Sequence, residues 1–166
     1  MARVLEIREI SFAVKSFDEA FEKFCKLGFK HTPVWEEPLP PVQARLTSMP
    51  LGNSSISIME SLDEGSPISK FIKKRGEGIF SFTFLVDDIH EIMKDWRAAG
   101  VQFVLDEPIR LVNNFSVGQP IPVMLGNWTR PSTLHGLVIE LQDFRNEDGS
   151  QYRPPRRPDE EPNLTI

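Results

Sequence analysis

The stretch SFTFLVDDIHEIMKDWRAAGV, Ser81–Val101, reads as a second copy of EISFAVKSFDEAFEKFCKLGF, Glu9–Phe29. Laid side by side without a gap, Phe12 falls on Phe84, Val14 on Val86, Glu19 on Glu91 and Gly28 on Gly100. Identities are few, and the chemical pattern carries the match. Ile10, Phe17, Phe21, Phe24 and Phe29 meet Phe82, Ile89, Met93, Trp96 and Val101. Such a repeat points to one supersecondary unit built twice.

Each copy opens on a strand, over residues 8–15 and 81–86, where bulky apolar residues alternate with others. Ser16 then offers a helix N-cap with Glu19 at the capping-box spacing, and Asp88 with Glu91 repeats it. Phe17, Ala20, Phe21, Phe24 and Leu27 form one helical stripe; Ile89, Ile92, Met93 and Trp96 form the other. Gly28 and Gly100 stop the two helices. Strand candidates follow. In the first copy they are KHTPVW (Lys30–Trp35), QARLTSMP (Gln43–Pro50) and SSISIMES (Ser54–Ser61). In the second they are VQFVLDEP (Val101–Pro108), PIPVML (Pro120–Leu125) and HGLVIELQD (His135–Asp143). LGN, at Leu51–Asn53 and again at Leu125–Asn127, reads as the turn before the last strand. The plan is β-α-β-β-β, used twice: module 1 over residues 1–62, a linker over 63–78, module 2 over 79–144. The linker predicts a short helix over Ile68–Lys74, capped by Ser66 with Pro67 in its first turn. Residues 145–166 are rich in Pro and charge and read as an extended or disordered arm.

The 166 residues carry 40% hydrophobic and 26% charged side chains, enough apolar material for a real core. A net charge of -5 argues against phosphate-backbone binding, which needs a basic face, so no nucleic-acid partner is expected. No apolar run approaches a membrane span, so no membrane association is expected. Cys25 is the single cysteine, which excludes an internal disulfide. With no secretory signal at MARVLEIREI, that suggests the cytoplasm. Cys25 itself reads as a packed thiol within a helix.

The segments ISFAVKSFDEAFEKFCKLGF, LGNSSISIMESLDEGSPISKFIKKRGEGIFSFTFLVDDI and RPSTLHGLVIEL resemble the vicinal oxygen chelate superfamily, most closely its methylmalonyl-CoA epimerase and glyoxalase-like branch. The likeness covers most of residues 8–143. It implies an α+β fold in which two tandem βαβββ modules form a cupped mixed sheet. It also implies a divalent metal held inside the cup. Metal and carboxylate then act together on a carbonyl and the neighbouring proton.

Carried over residue by residue, the resemblance places the four ligand positions at Glu9, Ser57, Ser81 and Glu140. Two carboxylates remain and both imidazoles are absent. Serine hydroxyls are poor ligands for zinc or cobalt. No cofactor is therefore expected, save a divalent ion such as magnesium or manganese held weakly by Glu9 and Glu140. Glu140 interrupts the apolar strand GLVIEL, where an unpaired charge would be costly to bury. It is the first candidate for acid-base work, with Glu9 as the second. Ser57 and Ser81 would hydrogen-bond a substrate. Ser81 and Thr83 share one strand face and Phe82 and Phe84 the other, so the hydroxyls are expected to line the cavity. His31, Trp35 and Trp128 complete the substrate-binding candidates, with Phe115 among the aromatics that could line an apolar pocket. Glu36 and Glu37 lie near the place of the family's additional base and read as an exposed acidic loop. Lys73–Arg75 reads as a solvated helix end.

Two readings stand at this point. One is an enzyme that moves a proton next to the carbonyl of a small acid, an acyl-CoA or a secondary metabolite, giving epimerisation, isomerisation or a lyase step. The other is a metal-free small-molecule binding or sequestering protein on the same fold. The partner in both is a small molecule, and exposed edge strands suggest a homodimer.

Overall fold

The computed structural model describes residues 2–35, 43–116 and 119–155, with only the backbone at residues 115 and 116. The described elements are β1 (Val4–Ala13), α1 (Phe17–Lys26), β2 (Ala44–Leu51), β3 (Ser54–Ser61), α2 (Pro67–Arg75), β4 (Gly78–Val86), α3 (Ile89–Ala98), β5 (Ile109–Ser116), β6 (Gln119–Trp128) and β7 (Val138–Arg145), with a 3-10 turn at Pro131–Thr133 before β7. The chain divides into two compact units, Glu9–Phe80 and the residues up to Arg8 with those from Ser81 onward. The fold is α+β, and each unit carries a mixed sheet.

In the unit over Glu9–Phe80 the strand order is β2-β3-β1, with β3 antiparallel to β2 and parallel to β1. Ser16 caps α1 as expected, its side chain accepting the Glu19 N–H. Gly28, at φ 90, ends the helix in the left-handed region. One face of α1 buries Phe17 with Met49 and Ile58, joined by Phe12, Phe21, Phe24 and Phe29. The predicted linker helix is α2, capped by Ser66 accepting the Ser69 N–H, with Pro67 at its start. It packs on the opposite face of the strands, where Ile68, Phe71 and Ile72 meet Ala13, Ala44 and Met59. The LGN turn at Leu51–Asn53 joins β2 to β3, with Gly52 at φ 59. The strand expected over Lys30–Trp35 is reduced to one bridge, Trp35 with Leu46. Pro33 has no N–H to give a ladder there.

In the other unit the order is β4-β7-β6-β5, with β7 parallel to β4 and antiparallel to β6. Asp88 caps α3, accepting from the His90 and Glu91 N–H groups. Ile89, Ile92 and Met93 pack on Val86, Phe103, Ile139 and Leu141. Two expectations fail here. Val101–Pro108 is not a strand and contributes only the Phe103–Thr129 bridge; β5 starts after Pro108 instead. Within β5, Asn113 adopts φ 51, which asparagine tolerates better than most residues. The second LGN is no turn: Leu125–Asn127 continues β6. Asn127 is fully buried and serves the backbone instead. It accepts the Leu105 N–H (3.2 Å) and Trp128 N–H (2.8 Å) and donates to the Leu105 carbonyl (2.9 Å).

The start of the predicted arm is ordered. After β7 the chain turns at Gly149, Gln151 bridges back to Arg145, and the Tyr152 N–H donates to the Phe144 carbonyl (2.9 Å). Tyr152 then packs on the cluster of Leu85, Ile121, Met124 and Phe144. Among the described residues no helix is long and apolar enough to cross a membrane.

Candidate functional site

In the unit over Glu9–Phe80, strand register sets Glu9 opposite Ser55 and Ser11 opposite Ser57, while Ser48 of β2 faces Ser57 from the other side. Residues paired in this way point to one face. That face gathers one glutamate and four serines. The Ser48 and Ser55 hydroxyls both donate to Glu9 Oε2, at 2.7 and 2.8 Å. Ser57 donates to Ser11 Oγ at 3.0 Å, and Ser11 makes only a long contact, 3.5 Å, with Glu9 Oε1. Ser11, Ser55 and Ser57 are buried, while Glu9 and Ser48 are partly open. Further along the same face, Leu46, Ala13 and Met59 lie under α2. Predicted Glu9 and Ser57 are thus brought into one cluster. Ser11, Ser48 and Ser55 join them unforeseen.

The other unit repeats the arrangement with the acid moved. Thr83 faces Glu140 and Ser81 faces Val138, as Ser11 faces Ser57 and Glu9 faces Ser55. So Ser81 holds the place of Glu9, and Glu140 the place of Ser57. The Thr83 hydroxyl donates to Glu140 Oε2 and the Gln142 amide to Oε1, each at 3.0 Å. Trp128 pairs with Glu140 across β6 and β7 and shares its face. Ser81 and Thr83 lie on that face as expected, but 4% and 1% exposed, deeper than the half-buried Phe82 and Phe84. Gln142 went unforeseen. Its signal was its place two residues beyond Glu140 on the same strand, hence on the same face.

Trp35 is 39% exposed and, by its bridge to Leu46, stands on the Glu9 face. His31 does not. It is exposed, packs edge-on against Phe21 of α1 at 4.6 Å between centroids, and its Nδ1 contacts the Thr32 carbonyl at 2.7 Å. Phe21 belongs to the helix-covered face, so the structure does not bring His31 together with the Glu9 cluster. Glu36 and Glu37 lie outside the described residues, as does the side chain of Phe115.

Residues 8–117 match the glyoxalase/bleomycin resistance protein/dioxygenase superfamily, and the chain belongs to that superfamily. Among its relatives, the mitochondrial methylmalonyl-CoA epimerase of Dictyostelium discoideum is 27% identical over 110 residues, 64% of this chain. The match spans 61% of that epimerase's length. The methylmalonyl-CoA epimerase of Mycobacterium tuberculosis superposes with a TM-score of 0.69 at 27% identity, covering 84% of this chain and 87% of that one. Hypothetical protein BH1468 of Bacillus halodurans C-125 gives 0.67 at 28% identity, over 82% and 92%.

The superfamily's divalent metal can be tested against this donor set. Among the described residues no three His, Cys, Asp or Glu side chains are grouped to hold an ion. Glu9 Oε2 already accepts two hydroxyl hydrogens, and the Glu140 oxygens accept from Thr83 and Gln142. The remaining positions, Ser57 and Ser81, offer neutral hydroxyls. These residues do not fit a tightly held transition ion, which favours imidazole, thiolate or unencumbered carboxylate.

Proposed function

We propose that this chain is an isomerase or epimerase of its superfamily that moves a proton beside the carbonyl of a small acid or acyl thioester, with Glu140 carrying the proton. The observation that supports this most is the grip on Glu140. One donor on each carboxylate oxygen fixes the plane of the group, and Trp128 stands beside it on the same face. A base held in one orientation needs little reorganisation as it takes a proton. In the step, the C–H electron pair passes into the substrate's carbonyl system to give an enolate, the proton goes to a Glu140 oxygen, and return of a proton to that carbon ends the turnover. The likeness to methylmalonyl-CoA epimerases makes 2-methyl acyl-CoA thioesters the first substrates to try.

The test is deuterium exchange. Wild-type protein incubated with methylmalonyl-CoA and related thioesters in D₂O is expected to place deuterium on the carbon beside the carbonyl. Glu140→Gln keeps the shape and should slow exchange by about 10²–10⁴-fold. Equal exchange in both proteins removes Glu140 from the role. No exchange with any thioester favours the second reading, a binding protein, which is supported by Glu9, held by the Ser48 and Ser55 hydroxyls, standing where the resemblance puts an imidazole.

A further inference from the structure

We propose that the Glu9 cluster is a binding site for a primary ammonium group, such as the head of an amine ligand. A hydroxyl has one hydrogen to give and two lone pairs to accept with. Here the hydrogens of Ser48 and Ser55 go to Glu9 Oε2, that of Ser57 goes to Ser11, and that of Ser11 is turned towards Glu9 Oε1. All four are committed inward. What the cluster presents to a visitor is lone pairs only: Glu9 Oε1, whose one contact is long, and the oxygen of partly open Ser48. The visitor must therefore be a hydrogen-bond donor.

It must also be a cation. Among the described residues, no Lys, Arg or His stands within ion-pair distance of Glu9, and its neighbour Arg8 pairs with Glu6 at 3.0 Å instead. A half-buried carboxylate surrounded by neutral groups favours an incoming positive charge. Shape narrows the choice. A guanidinium binds best by a fork onto both oxygens of a carboxylate, and Oε2 is already taken by two hydroxyls. A tetrahedral ammonium has three separate N–H groups, which can reach Oε1 and the Ser48 oxygen one each and leave the third to solvent. No hydroxyl of the cluster is left to donate to an anionic ligand group.

This site stands independently of proton transfer at Glu140, because it is read by binding alone. The full chain is titrated with methylammonium chloride and followed by amide chemical shifts in NMR, against tetramethylammonium, potassium and magnesium chlorides at equal ionic strength. Methylammonium should give saturable shifts at Ser48, Ser55 and Ser57, and tetramethylammonium, which has no N–H, should give none. Glu9→Gln and Ser48→Ala should each weaken binding, the former by about tenfold or more. Should Glu9→Gln fail to fold, Ser48→Ala carries the test alone. The proposal is overturned if methylammonium binding does not saturate, if tetramethylammonium, potassium or magnesium binds as well, or if the variants bind like wild type. Methylammonium binding by a chain that exchanges no thioester proton supports this site and removes the epimerase reading, so the two fail separately.

Discussion

Glu60 of β3 and Asp143 of β7 do the same work in the two modules: each accepts the first backbone N–H of its module's long helix. Glu60 takes the Phe17 N–H at 2.9 Å and Asp143 the Ile89 N–H at 3.1 Å. The register shows that the places correspond. Ala13 faces Met59 just before Glu60, as Leu85 faces Gln142 just before Asp143. Each acid satisfies an N–H left open at a helix start and meets the positive end of the helix dipole. The strand face opposite the candidate site thus anchors both helices.

The two anchors differ in what surrounds them. Asp143 is fully buried, and burial pushes its carboxyl above the usual aspartate value even against the pull of Arg145 and the Ile89 N–H. Asp143→Ala would leave Arg145 without its partner at 2.5 Å and orphan a helix N–H. The expected loss is about 3 kcal/mol. Glu60→Ala, at a half-open position, should cost about 1 kcal/mol, as loss of a helix cap does. Asp143→Asn keeps one acceptor and should fall below the alanine variant in cost. Urea unfolding of the three variants checks the order.

Asn127→Leu should be among the most damaging neutral substitutions. It keeps the branched shape, at somewhat greater bulk, but abandons the Leu105 N–H and carbonyl inside the fold. Unsatisfied buried groups of this kind cost about 1–3 kcal/mol each. A large drop in the unfolding midpoint is expected, together with faster amide exchange at Leu105. A stability equal to wild type would show that water replaces the side chain.

Helices were the most legible part of the chain, because Ser16, Ser66 and Asp88 are local signals that act on their own next turn. The polarity of the Glu9 and Glu140 faces was legible too, from alternation. What stayed hidden depends on partners distant in sequence. Asn127 looks like a turn residue until Leu105 is seen beside it. The serine shell of Glu9 comes from β1, β2 and β3, and SSISIMES alone says only that hydroxyls alternate with apolar groups. The kinship of Glu60 and Asp143 is masked by spacing. Phe17 and Ile89 are 72 residues apart, but Glu60 and Asp143 are 83 apart, so the ungapped match of the two copies ends before it reaches them.

Acid should loosen the start of β1 before the rest. The Arg3 N–H donates to Asp87 at 2.6 Å, and this bond above all holds the Asp87 carboxyl below its ordinary value of 3.8. A depressed carboxyl adds stability that is present above its unfolded pKa and is lost as pH falls through the folded one. Arg3 is largely exposed, so the effect is local rather than global. Amide exchange at Arg3 and Asp87, corrected for its intrinsic pH dependence, should rise relative to the core as pH falls below the ordinary aspartate value. In Asp87→Asn that pH dependence should vanish. Persistence of it would assign the loosening to another group.

Metal content tests the donor chemistry directly. Glu9, Ser57, Ser81 and Glu140 stand where the resemblance puts ligands, but the Ser57 hydroxyl donates to Ser11, and both carboxylates already accept from neighbouring hydroxyls, Glu9 from Ser48 and Ser55 and Glu140 from Thr83. Purified protein, dialysed without chelator, is expected to carry no stoichiometric zinc, cobalt or nickel by elemental analysis. EDTA should then leave its unfolding midpoint unchanged. The converse change is more informative. Ser81→His with Val138→His sets a cross-strand pair of imidazoles on the face of Glu140, which keeps its carboxylate. Neutral imidazole suits cobalt and zinc far better than a hydroxyl does. The double variant should gain cobalt affinity, read as visible absorption bands on titration with cobalt(II), and its midpoint should rise with added metal as binding to the folded state requires. One equivalent of a transition ion in the wild type would show that Glu9 gives up its hydroxyl partners to a metal. A double variant that stays colourless would show that the ligand types alone do not make the site.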